Sequence, residues 1–176
     1  MNLPNKLTIA RVAFVPVMVG LCYLPGPEGA WAAGAVFAAA ALTDYLDGAI
    51  ARKRGLITDF GKFLDPVADK LLVLSAMIML VRSGQLPAFA AVLVLSRELA
   101  VDGLRMIAVG KGRVIAAGPL GKLKTVSQMA MILLLFFTGW TVAQHWLAIL
   151  LCVWVCGITL WSGIDYFLRN GDALRE

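Results

Sequence analysis

Apolar residues gather along this chain in six runs, at about residues 7–24, 30–51, 63–81, 86–109, 126–143 and 146–164, parted by short polar connections. A helix of about 20 residues rising 1.5 Å per residue crosses a hydrocarbon layer of roughly 30 Å, so each run has the length of a bilayer span. Ten-residue stretches of alternating polarity, the mark of a membrane strand, are missing. The pattern predicts an all-α, polytopic membrane protein with six transmembrane helices. Pro4, Asn5, Lys6 and Arg11 interrupt the start of the first run. That start is expected to form a short N-terminal juxtamembrane amphipathic segment.

Composition sharpens the picture. Of 176 residues, 60% are hydrophobic and 15% charged, and the mean hydropathy is +0.82. This exceeds what a soluble core of the same size hides. One membrane domain over 1–176 is expected, with no separate soluble domain. No basic stretch followed by a small-residue cleavage site opens the chain, so the first run is read as a retained helix. A net charge of +5 suits nucleic acid in principle, but the cations lie in alternate connections. Residues 25–29, 82–85 and 144–145 carry Arg82 alone, whereas Lys6, Arg11, Arg52, Lys53, Arg54, Lys62, Arg105, Lys111, Arg113, Lys122, Lys124, Arg169 and Arg175 fall on the other side. The positive-inside rule places both termini and the basic loops in the cytoplasm, in a multi-pass protein of the cell membrane. Trp31, Trp140 and Trp146 fall near the opposite ends of their runs, where such rings settle at an interface. His145, beside Trp146, is read as interfacial. Cys22, Cys152 and Cys156 form no disulfide or zinc pattern.

Only the last two runs are nearly free of charge, and ionised residues inside a span usually serve function. The densest set lies in TDYLDGAIARKRGLITDFGKFLDPVADKL, residues 43–71. Asp44 and Asp47 stand three apart at the end of the second run, and Asp65 and Asp69 four apart at the start of the third, so each pair shares a helical face. Counting from Arg52 and Lys62, both pairs reach roughly 10 to 12 Å below the basic rim. Consecutive antiparallel helices then bring the four carboxylates to one depth. Four like charges in a low dielectric require positive partners. All-oxygen ligation suits Mg²⁺ or Mn²⁺, and two ions suit displacement at phosphorus. Gly48 and Ala51 leave room beside the acids, and Arg52 has the reach of a bidentate phosphate donor. The plainer alternative is that the small residues only pack helix on helix.

The spacing Asp44-x2-Asp47-Gly48-x2-Ala51-Arg52-x8-Gly61-x3-Asp65-x3-Asp69 resembles, without gap or substitution, the signature of the CDP-alcohol phosphotransferase family. NLPNKLTIAR at the start, LDPVADKLL, SREL and GKLKTVSQM extend the resemblance over most of the chain. The resemblance implies a six-helix membrane domain, usually a homodimer, with a cavity open to the cytoplasm. It implies that Asp44, Asp47, Asp65 and Asp69 hold two metal ions and that Asp69 doubles as general base. Gly48, Arg52 and Thr58 are then expected to contact the CDP part of the donor, with Asn5 to Thr8 closing over it and Ala51 and Gly61 giving clearance. The implied partners are CDP-diacylglycerol, glycerol 3-phosphate and the surrounding membrane lipids.

On the acceptor side, Arg97, Glu98, Asp102 and Arg105 fall in the fourth run, where charge is expected to face the interior. Arg97 and Arg105 are candidates for the acceptor phosphate, with Lys122 and Lys124 at the entrance of the next helix. The alternative is scaffold pairing of either arginine with Glu98 or Asp102, while the lysines set topology. Two rivals stand beside the main reading. One is a member of the same family taking phosphatidylglycerol as acceptor. The other is a divalent-cation transporter, which requires polar groups toward both membrane faces, whereas the outer halves of these runs are almost wholly apolar.

Overall fold

The structure is a computed structural model. It describes the backbone of residues 3–54, 59–116, 118–137 and 142–174, and the side chains of 10–43, 67–68, 70–116, 118–137 and 145–172. Among these residues all regular structure is helical, with no strand. The helices are α1 (Leu3–Leu21), α2 (Pro27–Arg54), α3 (Asp59–Arg82), α4 (Ala88–Gly110), α5 (Pro119–Phe137) and α6 (Val142–Asn170), followed by a 3₁₀ turn at Gly171–Leu174.

Two boundaries correct the sequence reading. The fifth apolar run covers about 126–143, but its helix runs over Pro119–Phe137. Proline is well placed in a first helical turn, where its missing N–H has no partner to lose. The polar stretch GKLKT therefore forms helix rather than loop. The sixth helix extends beyond 146–164 to Asn170 and carries Asp165, Tyr166 and Arg169 as helical residues.

The chain divides into two compact units, one of residues 1–83 with 132–139, the other of 84–131 with 140–176. In the first, α1 packs on both α2 and α3, which also touch each other. Its core includes Met18, Phe37, Leu72, Met77, Leu80 and Phe136, each 2% exposed or less. Phe37 and Phe136 lie 6.4 Å apart between ring centroids. Arg82, the exception among the poorly charged connections, is anchored here. Its guanidinium lies 3.9 Å from the Tyr23 ring centroid and donates to the Cys22 carbonyl at 3.3 Å. At Gly34 the packing leaves no space for a side chain, because a Cβ there stands 2.8 Å from the Cβ of Phe136. Gly34→Ala is therefore expected to destabilise the protein by about 1–3 kcal/mol through overpacking. A melting curve in detergent checks this against Gly20→Ala, where a Cβ meets nothing within 4 Å.

In the second unit α4 packs on α6. Val101, Leu104, Ala108 and Tyr166 form its buried cluster, with Ile115 and Phe167 against it. Along α6 the buried stripe is Cys152, Val155, Thr159, Ser162 and Tyr166, while Trp146, Leu150, Val153, Trp154, Trp161 and Leu168 are each more than half exposed. So much contiguous apolar surface marks contact with lipid or protein rather than water. Among the described residues two helical stretches are long and apolar enough to cross a membrane, Pro119–Phe137 and His145–Asn170. These are the two that the sequence singles out as nearly uncharged. His145 and Trp146 stand exposed at the start of the second.

Candidate active site

Four signature carboxylates belong to the first unit. Asp44 and Asp47 are carried by α2, and Asp65 and Asp69 by α3. Asp44 stands ten residues before Arg54, the end of α2, and Asp69 ten residues after Asp59, the start of α3. At 1.5 Å per residue both lie about 15 Å from the ends of helices that only four residues join. Asp47 and Asp65 lie nearer those ends, by similar amounts. The backbone thus sets the two pairs at matched heights on helices in contact.

The side chains of Asp44, Asp47, Asp65 and Asp69 lie outside the described residues, as do those of Asn5, Thr8, Gly48, Ala51, Arg52 and Gly61. Thr58 lies outside them altogether. The donor set fits hard divalent cations: four carboxylates, with no nitrogen or sulfur at these positions. Among the described residues no group of three or more His, Cys, Asp or Glu side chains could hold a metal ion. Asp59 opens α3, where a negative charge complements the positive helix end.

All four candidates for the acceptor phosphate fall in the second unit. Glu98 gathers two of them. Its Oε1 accepts from Lys124 Nζ at 2.6 Å and from Arg97 Nη1 at 3.1 Å. The Lys124 and Arg97 side chains are only 3% and 12% exposed. The stem of Arg97 passes α6 where Gly163 leaves room, since a Cβ there stands 3.2 Å from Arg97 Cγ. Lys122 and Lys124 lie in the first two turns of α5, Lys122 exposed and Lys124 buried. Arg105 donates from Nε to the Tyr166 hydroxyl at 3.0 Å.

That hydroxyl belongs to a residue lining a polar pocket of about 320 Å³, together with Arg113, Gly118, Asp165, Arg169 and Asn170. Local structure builds it. Gly112, with φ of 72°, ends α4 in the left-handed conformation that glycine adopts freely. Its N–H donates to the Val109 carbonyl and that of Arg113 to the Ala108 carbonyl, both at 2.9 Å, the pairing of a Schellman cap. The cap turns the chain so that Arg113 faces the pocket and Ile115 packs on the buried cluster. On the α6 side Arg169 Nε donates to Asp165 Oδ1 at 2.7 Å, and Asn170 Nδ2 to the Tyr166 carbonyl at 2.9 Å. Two guanidiniums beside one carboxylate leave excess positive charge, the requirement for an anionic ligand. Sequence reasoning missed Arg113, Tyr166 and Arg169 as a group. The glycine after α4 was the available signal for the first.

Comparison with known proteins gives the family. The family model for CDP-alcohol phosphatidyltransferase matches residues 1–154. The chain is 43% identical to the CDP-diacylglycerol--glycerol-3-phosphate 3-phosphatidyltransferase of Bacillus subtilis (strain 168), over 99% of this chain and 97% of that one. It is 38% identical to the protein of the same name from Rickettsia bellii (strain RML369-C), over 94% and 93%. A cardiolipin synthase (CMP-forming) of Oryza sativa subsp. japonica is 40% identical, over 77% of this chain and 45% of that protein. The chain belongs to the CDP-alcohol phosphatidyltransferase family.

Proposed function

We propose that this protein transfers the phosphatidyl group of CDP-diacylglycerol to glycerol 3-phosphate, releasing CMP and leaving phosphatidylglycerophosphate in the membrane. The observation that carries the reading is the unbroken aspartate signature, set at matched heights on two touching helices. The choice of acceptor rests on relatives of that name that match end to end, whereas the cardiolipin synthase matches over less than half its own length.

Members of this family generally depend on divalent metal. Asp44, Asp47, Asp65 and Asp69 are proposed to hold it, as Mg²⁺ or Mn²⁺ and as two ions. Bound there, the ions supply positive charge that offsets the negative charge of phosphoryl transfer. Asp69 takes the proton of the acceptor's 1-hydroxyl, whose oxygen forms the new bond to the β-phosphorus as the bond to CMP breaks. Arg52 is assigned to the phosphate of the departing CMP, with Gly48, Thr58 and the Asn5 to Thr8 stretch around the nucleotide. Ala51 and Gly61 give it clearance.

For the acceptor phosphate, the pocket of Arg113 and Arg169 is the favoured seat, with Arg105 holding Tyr166 in place. Arg97 and Lys124 are nearly buried around Glu98, which favours the scaffold reading for those two, whereas the Arg169 side chain is 69% exposed. Arg169→Gln is expected to raise the KM for glycerol 3-phosphate by about ten- to a hundredfold, the worth of a charge-assisted hydrogen bond. The KM for CDP-diacylglycerol stays unchanged in the same kinetic series.

The whole chain is proposed to act as one domain in the cell membrane, crossing it six times as a homodimer with both termini inside. The cation distribution and the apolar face of α6 support this placement. The reading is tested by incubating purified protein with CDP-diacylglycerol, Mg²⁺ and one acceptor at a time, following CMP. Glycerol 3-phosphate is expected to drive release. Faster release with phosphatidylglycerol overturns the acceptor, and metal uptake by proteoliposomes without nucleotide overturns the enzyme class.

A further inference from the structure

An open groove of about 530 Å³ runs between α4 and α6 in the second unit, on a different side of α6 from the polar pocket. Leu93, Arg97 and Ala100 form one wall, and Thr159, Leu160 and Phe167 belong to the other. Along the helix axes it extends about 10 Å from Leu93 to Ala100 and somewhat further on α6. Its surface is almost entirely hydrocarbon, and Leu160 and Ile164 at its edge are more than half exposed. In such walls two polar atoms are out of place. Thr159 is fully buried and its Oγ1 has no hydrogen-bond partner. Arg97 Nε, also buried, has none either.

We infer that this groove is a binding site for one acyl chain of a resident bilayer phospholipid, whose ester carbonyl accepts hydrogen bonds from Thr159 and Arg97. Three observations select that occupant. The length and apolar lining match an extended hydrocarbon chain. The two unpartnered donors call for an acceptor carried beside that chain, since a polar group shut in an apolar wall without a partner is unfavourable. A glycerolipid carries its ester carbonyls at the head of the chain. A helix of a second copy does not meet this requirement, because its backbone carbonyls are consumed within the helix. Threonine in a helix has two accessible χ1 rotamers, so its hydroxyl can turn from the wall to the incoming carbonyl. The nucleotide donor is disfavoured as occupant, because the groove presents only Arg97, Ser96 and Thr159 as polar side chains.

The test uses the full chain purified in detergent and stripped of lipid. Dioleoylphosphatidylglycerol is titrated in, bound lipid is counted by native mass spectrometry, and the melting temperature is followed. One saturable lipid per chain is expected, with a rise in melting temperature. Ala100→Phe, which fills the groove from an exposed position, is expected to abolish that binding. Thr159→Val keeps the shape and removes the orphan hydroxyl. The lipid-free variant should melt no lower than the wild type, while its lipid binds about two- to tenfold more weakly. Equal lipid binding by Ala100→Phe and wild type overturns the site. An unchanged lipid count with a dissociated oligomer reassigns the groove to an interface between copies, and competitive displacement by CDP-diacylglycerol reassigns it to the donor. Either result overturns the inference without touching the proposed reaction.

Discussion

Asp69→Asn is expected to lower CMP release from CDP-diacylglycerol by roughly 10²–10⁴-fold, the range that loss of a general base spans. The amide keeps the size of the carboxylate and the helical backbone of α3, but it can neither take a proton from the acceptor hydroxyl nor offer a full negative charge to a cation. Helix content and melting are therefore expected to stay near those of the wild type, since in the proposed site removing one of four like charges relieves repulsion in the metal-free protein. Asp59→Asn is the matching control on the same helix. Asp59 opens α3 outside the signature, so its loss removes a favourable charge at a helix start, worth about 1 kcal/mol or less. Turnover should hardly move. Normal turnover in the Asp69 variant would remove the general-base assignment, and equal losses in both would show that acidic residues on this helix act through stability alone.

Helix type and number were legible because runs of twenty apolar residues admit few other structures. The aspartates are candidates because acids inside such runs stand out against their surroundings. The boundaries were less legible. The fifth apolar run begins only at residue 126, whereas Pro119 opens α5, and on that helix Lys124 turns inward and Lys122 outward. Hydropathy cannot separate two lysines two residues apart, whereas helical rotation does. The polar pocket failed to show for a related reason. The sixth apolar run stops at Ile164, so hydropathy alone does not place Tyr166 and Arg169 on a packed helix. The pairing of Arg105 with Tyr166 joins residues 61 apart in sequence, and no local pattern announces it.

The ion cluster at Glu98 supports the second large expectation. One carboxylate oxygen serves Lys124 and Arg97, and both cations are nearly buried. Glu98→Leu removes the carboxylate that the two nearly buried cations share, and breaking a buried ion pair costs up to about 3–5 kcal/mol. Lys124→Met is milder, because Glu98 retains Arg97 beside it. The double variant Glu98→Leu with Lys124→Met is expected to recover part of the loss, so the effects fall short of additive. Melting curves of the four proteins in detergent measure this coupling, and a Glu98→Leu protein that melts with the wild type would show that the cluster holds nothing together. Kinetics of Lys124→Met then separate scaffold from ligand. A lysine whose charge is occupied by Glu98 leaves the KM for glycerol 3-phosphate unchanged in folded protein. A lysine that receives the acceptor phosphate raises that KM even where the melting temperature is preserved, because stability and acceptor affinity then depend on the same ammonium in two different states of the enzyme.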